Sequence, residues 1–447
     1  MPTARRLMIQ QGCDCGVPDD EYDSLVQLYT LANGKGWTKR TGWLTKCKVS
    51  DWYGITVKNR HVDSIDISTG QWKSSVKGDI SGWTMPPKLS HLIFDSTSIT
   101  GDVSGWTFPA TMKTLSFNNV QVTGDVSGWI LPSTLEKIFL TNTHTTGNVG
   151  GWILPAELIV FNMGSSRVTG NIGSWILPNK LTEFSISGSR HLTGDIGSWV
   201  LPNRLVTINL TSVPVTGDVS SWILPAQLSQ LSVGGTHVSG DIGSWVLPSD
   251  IITLELYSTL VSGDISGWVL TSKIKTINIG CKNLTGNIGG WILPSTLTNF
   301  GFNGTGLSGD IGSWILPIAM IDLRMADTNV SGDISSWIIP PKLNMLLIDR
   351  TGLSGAFDMS NLVSCTQINY GECHLTQADV DSVLANSYSV RAAQLKPIRL
   401  VLTGVTNAAP SGTLQASAAP STGNEYVYAL VNDPNSEGFK KWNVTTS

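Results

Sequence analysis

A tryptophan returns every 23 residues through most of this chain: Trp83, Trp106, Trp129, Trp152, Trp175, Trp199, Trp222, Trp245, Trp268, Trp291, Trp314 and Trp337, with a single spacing of 24. A fixed period in this range marks an array in which each unit is too short to bury a core alone and must stack on its neighbours. The 447 residues are therefore read as one repeat array with closing segments, not as several unrelated globular domains.

Aligned on the tryptophans, each unit reads LxxLxLxxTxVTGDIGSWILPxx. Leu135, Ile138 and Leu140 supply the apolar positions in one unit, and Leu228, Leu231 and Val233 supply them in another. The alternating pair predicts a short strand whose inward side chains stack on those of the coils before and after.

This pattern resembles the plant-type leucine-rich repeat. The ladder position, usually Asn in that family, is here mostly Thr or Ser: Thr97, Thr143, Ser166, Ser189, Thr236, Thr259, Thr305, Thr328 and Thr351. The segment DDEYDSLVQLYTLANGKGW, followed by GWLTKC and DWYGITV, is similar to the cap that precedes such repeats, with Leu25, Leu28, Tyr29 and Ala32 on one helical face. Val57 stands where the family has its second cap cysteine, which leaves Cys47 to pair with Cys13 or Cys15. The resemblance covers roughly residues 19 to 375 and implies an all-β-rich leucine-rich repeat solenoid of about 13 coils over residues 61–375. A helical N-terminal cap (1–60) and a small α+β C-terminal cap (376–447) complete the expectation.

Each column of the repeat has its own reading. The glycines from Gly78 to Gly355 mark a corner whose backbone angles or packing exclude a side chain. Beside them runs an Asp or Asn column, including Asp102, Asp125, Asn148, Asn171, Asp195 and Asp264. Turn capping is favoured over calcium there, because Asn replaces Asp freely and each site lacks the further oxygens calcium requires. The tryptophans read as an interior spine, with an exposed sugar-stacking ladder as the alternative. The residue after each tryptophan is always β-branched, which predicts extended backbone and a further short sheet. If Trp and the following Leu point inward, Ile130, Ile153, Ile176, Val200, Ile223 and Val246 point outward as a lateral contact stripe; if the chain bends at Pro, that column is half covered.

Catalysis finds no candidate residues. GxSxG, HExxH, P-loop and dinucleotide fingerprints are absent, so a non-enzymatic protein without cofactor or metal is expected. His144, His191 and His237 share a column but lie two coils apart, too far for one metal. Cys365 and Cys373 are separated by extended chain and should not pair, Cys373 being a ladder residue. Charged residues make up only 14% of the chain and the net charge is −4, which advertises no nucleic-acid surface. No apolar run is long enough for a membrane helix, and the first residues carry no classical signal-peptide core. The expected binding surface is the concave sheet, with Asn118, Thr141, Asn162, Ser185, Asn209, Ser232, Glu255, Tyr257 and Asn278 outward: small, polar and hardly charged.

Past Cys373 the period stops. HLTQADVDSVLANS predicts a helix capped by Thr376, PIRLVLTG a strand, EYVYALV a helix or strand, and WNVTTS a final strand. The combination CxLTQADVDSVL, LTGVTNAAPSG and GFKKWNVTT resembles a closing module of repeat proteins from tailed bacteriophages and environmental bacteria. That resemblance implies a binding or structural protein on a virion exterior, a fibre, tail or capsid decoration, whose partners are assembly subunits, further copies of itself or a host-surface glycan. A secreted or cell-surface adhesion protein is the alternative. Ice binding is a third reading, carried by the row Thr100, Thr123, Thr146, Thr169, Thr193 and Thr216.

Overall fold

The computed structural model describes residues 14–68, 76–390, 398–403, 407–415, 420–432 and 443–446. The chain forms two compact units, residues 1–218 and 219–447. Each is a run of leucine-rich repeat coils, as the period predicts.

In the first unit a helix, α1 (Asp19–Leu31), is followed by an antiparallel hairpin of Ile55–Lys58 with His61–Asp66. Tyr22, Leu25, Leu28, Tyr29 and Ala32 are buried, so the predicted apolar face is the one that packs. Around it the rings of Tyr22, Tyr29, Trp37, Trp43 and Trp52 meet at centroid distances of 5.0 to 5.5 Å. Glu21 on α1 is fully buried. Its carboxylate lies 2.7 Å from His61 Nδ1 and accepts the Val62 N–H at 2.6 Å, fastening helix to hairpin. Cys47 is in a disulfide and Cys15 is a thiol, which removes one of the two expected partners; Cys13 lies outside the described residues.

The strand of each coil pairs in parallel, in register, with that of the next. Leu92 aligns with Leu115, then Ile138, Phe161, Phe184 and Ile208. In the second unit Leu231 aligns with Leu254, Ile277, Phe300, Leu323 and Leu346. All of these side chains are buried, each stacked on its counterpart one coil away. The ladder residues are buried as well. Thr97, Thr236, Thr259 and Thr351 donate their hydroxyls to the carbonyl three residues earlier in their own coil at 2.7 Å. Threonine thereby satisfies an interior carbonyl that the family's Asn would otherwise serve. Cys373 holds the ladder position of its coil, and Cys281 sits one residue before that of its own; they donate to the carbonyls of Ile348 and Leu256 in the preceding coils.

A second parallel sheet forms where it was not expected. The segments Ser98–Asp102, Gln121–Asp125 and His144–Thr146 pair coil to coil in the first unit, and His237–Asp241 through Gly352–Ser354 do so in the second. The predicted sheet after each tryptophan is absent: none of the β-branched residues from Ile130 to Ile338 falls in a strand, and Ile338 has only an isolated bridge to Asp358. A turn closes just before each of them, as where Trp129 N–H donates to the Val126 carbonyl at 3.0 Å, and in every coil but that of Val269 a Pro without an N–H follows. The Gly column is also relocated. Gly101 and Gly286 lie inside strands of the second sheet with φ of +132° and +133°, angles closed to other residues.

The closing segment does more than cover the last coil. The helix α2 (Gln377–Val390) starts with Thr376 and Asp379 exchanging hydrogen bonds between side chains and backbone N–H groups. The helix α3 (Gly423–Asn432) resolves EYVYALV as helical. Arg399–Val401 and Asn443–Thr445 then extend the first sheet in parallel, Ile368 aligning with Leu400 and Leu400 with Val444.

Candidate functional site

The repeat sorts side chains into three outward surfaces. Their character follows from which way each column points.

The tryptophans point in. From Trp83 to Trp337 every indole is 2 to 8% exposed, which removes the sugar-stacking ladder. Trp129 and Trp152 donate their indole N–H to the carbonyls of Val103 and Val126, one coil back, at 3.1 and 3.2 Å. At Trp175, Trp199, Trp222, Trp245, Trp268, Trp291 and Trp314 the N–H has no partner among the described residues, so ring packing alone holds them.

Because each Trp is buried and the following Leu or Ile is buried or half-buried, the residue between them is forced outward. Ile130, Ile153, Ile176 and Val200 are 83 to 87% exposed in the first unit. In the second unit Ile223, Val246, Val269, Ile292, Ile315 and Ile338 are 76 to 87% exposed. The half-covered alternative is thereby overturned. Small Gly or Ser residues precede each tryptophan and a Leu-Pro pair usually follows, so nothing projects beyond the β-branched row. Two of the charges near it are paired coil to coil, Lys180 with Glu157 and Lys273 with Asp250, each at 2.5 Å.

The second sheet carries the threonine row and the Asp or Asn column. Thr100, Thr123, Thr216 and Thr285 are exposed and donate their hydroxyls to the glycine carbonyl of the preceding coil at 3.2 to 3.3 Å. Their hydroxyl protons are thus used inside the sheet, and only oxygen lone pairs and methyls face water. In the neighbouring column each carboxylate or amide oxygen accepts the backbone N–H two residues on: Asp102 from Ser104, Asn148 from Gly150, Asp195 from Gly197, Asp310 from Gly312. The Ser81, Ser104, Ser127 and Ser266 hydroxyls and N–H groups hold the carboxyls of Asp79, Asp102, Asp125 and Asp264 below the ordinary carboxylate range. Among the described residues no cluster of three or more His, Cys, Asp or Glu could hold a metal ion.

The concave sheet is tied together across coils. Thr141 donates to Asn162 Oδ1 at 2.6 Å, and Ser232 to Glu255 Oε2 at 2.8 Å. Asn118, Asn162, Asn209, Glu255, Tyr257 and Asn278 are half-buried, while Ser185 and Ser232 are buried beneath their neighbours. The Tyr257 ring lies over Gly234, where a Cβ would collide with it. Burial first and the Glu255 charge second push the Tyr257 phenol up. Reading the sequence missed the one concave stretch dense in charge, where Arg324 pairs with Asp322 at 2.9 Å and Arg350 with Asp349 at 2.7 Å. Burial of Asp349 raises its carboxyl pKa. These residues fall at varied offsets in their repeats, and no single column announced them.

No known protein family and no curated protein matches the chain. Solved structures similar to it include the plant peptide hormone receptor RGFR1 in complex with RGF2, at 16% identity over 79% of this chain and 60% of that one, with a TM-score of 0.49. The Arabidopsis receptor kinase HAESA, in complex with the peptide hormone IDA and the co-receptor SERK1, is 13% identical over 87% of this chain and 78% of that one, again at 0.49. A plant ice-binding protein is 16% identical over 73% of this chain and 92% of its own length, at 0.38. The chain spans about 60% of the first of these. At such values the fold assignment rests on the coil geometry itself: one strand, one ladder residue and one buried tryptophan per 23-residue repeat. That geometry defines a leucine-rich repeat solenoid.

Proposed function

We propose that this protein is a non-enzymatic recognition and assembly component that presents two working surfaces, a polar concave sheet for a protein or glycan ligand and an apolar lateral row for assembly. The observation that carries the reading is the row: one apolar β-branched side chain per coil from Ile130 to Val200 and from Ile223 to Ile338, each at least three-quarters exposed. Monomeric soluble proteins seldom expose ordered apolar surface of this kind unless it has a partner. The concave sheet suits a neutral ligand rich in hydroxyls or amides, since Asn118, Asn162, Asn209 and Asn278 offer both donors and acceptors. The likeness of residues 365–447 to closing modules of phage repeat proteins supports a place on a virion exterior, with adhesion at a cell surface as its counterpart.

The test is a glycan and surface-protein array probed with the purified chain and with an Asn209→Ala, Glu255→Ala, Tyr257→Ala, Asn278→Ala variant. A ligand retained by the wild type and lost by the variant is expected. No array ligand for either, together with no labelling of virions or cell surfaces by a specific antibody, removes the recognition reading.

Ice binding is the second reading, favoured by the exposed Thr row with its hydroxyls fixed at the coil repeat. Ice crystals growing unaltered in the protein's presence would remove it.

A further inference from the structure

We infer that the occupant of the lateral row in the second unit is a second copy of this chain, packed row against row about a two-fold axis. The inference rests on the assembly half of the reading above. Ile223, Val246, Val269, Ile292, Ile315 and Ile338 stand 76 to 87% clear of the surface, one per coil. At roughly 100 Å² of apolar surface each, they supply about 600 Å². A stable interface needs about 800 Å² from each partner, and the exposed Ser and Gly residues before each tryptophan, with half-buried Leu270 and Leu293, make up the difference.

Shape and charge both select a copy of the same row. Between successive coils a cleft of about 560 Å³ opens, lined by Trp268, Val269, Leu270, Trp291, Ile292 and Pro294. Here a hollow lies between two projecting β-branched side chains, Val269 and Ile292, and an identical row reversed in direction can place a projection opposite it. An isologous contact of this kind is closed, so it ends at a defined stoichiometry. Beside the row Lys273 is paired with Asp250, and Lys342 at its far end is a single exposed charge, so the face offers little to an oppositely charged partner. A glycan would find few hydrogen-bonding groups along Ile and Val.

The experiment is the solution mass of the full chain, by light scattering and sedimentation over a wide concentration range. It is run beside a Val246→Ser, Val269→Ser, Ile292→Ser, Ile315→Ser variant, all at exposed positions. The wild type is expected to be a dimer, or a multiple of one, and the variant a monomer with the same far-UV spectrum and melting temperature. A second variant, Ile292→Cys, is expected to cross-link two copies on mild oxidation. A wild type that is monomeric throughout overturns the inference. So does a variant that keeps the wild-type mass, or a monomer whose row adsorbs to ice or to a glycan instead. Concave ligand binding on the array is read separately, so a wild type that stays monomeric yet binds its array ligand refutes this inference alone.

Discussion

A Cβ placed on Gly101 would lie 2.7 Å from Asp79 Oδ1, the oxygen that caps the turn of the preceding coil by accepting the Ser81 N–H. Glycine in one coil and the capping carboxylate in the previous one thus specify each other. Gly101→Ala must displace that cap and also strain a backbone at φ +132°. It is expected to destabilise the first unit by roughly 2 to 4 kcal/mol, measured from the denaturant midpoint. Ser104→Gly, two residues past the next cap, should be nearly silent by the same measure, because Gly already occupies that position in other coils, as at Gly173 and Gly197.

The caps also set the response to acid. The carboxyls of Asp79, Asp102, Asp125 and Asp264 have depressed pKa values in the folded chain, so the stability they contribute is present above the unfolded carboxylate value. It is lost as pH falls through the folded one. Coils capped by Asn148, Asn171 and Asn287 have nothing to titrate there. Replacing Asp102, Asp125 and Asp264 by Asn should leave neutral stability little changed and move the acid-unfolding midpoint to lower pH, followed by circular dichroism.

The tryptophan spine separates packing from hydrogen bonding. Trp199→Ala empties an interior site and should destabilise by about 3 to 5 kcal/mol. Trp222→Phe removes an N–H that bonds to nothing, whereas Trp129→Phe also breaks the bond to the Val103 carbonyl. The Trp129 variant should therefore lose about 1 kcal/mol more than the Trp222 variant. Equal losses in urea titrations would contradict this account of the spine.

Much of this architecture is legible in the sequence because period and column direction are geometric. Once Trp and Leu are inward, Ile130 or Ile292 between them has nowhere to go but out. The location of the second sheet is not legible, since β-branched residues are enriched both after Trp and before Gly. Hydrogen bonding decides between them: the segment after Trp follows a turn and mostly runs into Pro, while Thr123-Gly124-Asp125 can exchange N–H and carbonyl groups with the next coil. The ring cluster of the cap and the Thr141–Asn162 and Ser232–Glu255 links of the concave sheet depend on distances between coils that no single repeat displays. The cap disulfide is half legible, because the resemblance to the family's cap names Cys47 but not its partner.

Buried groups give two further tests. Glu21→Ala leaves the Val62 N–H unpaired in the interior and strips His61 of its carboxylate. A loss of about 3 kcal/mol is expected, read from thermal and denaturant unfolding. Burial pushes the Cys365 thiol up to about 12 and the Cys373 thiol to about 11. Neither should react with iodoacetamide at mildly alkaline pH until the chain is unfolded, and mass spectrometry of labelled peptides would expose any native reactivity.

That the repeated tryptophan is interior and the residue after it exposed is the claim on which the proposed surfaces rest. Acrylamide quenching of intrinsic fluorescence tests the first half of that claim and, through alternation, the second. Blue-shifted emission with quenching several-fold weaker than in urea is the predicted result. Emission and quenching close to those of the unfolded chain would mean that the indoles face solvent, and that the Ile and Val row does not.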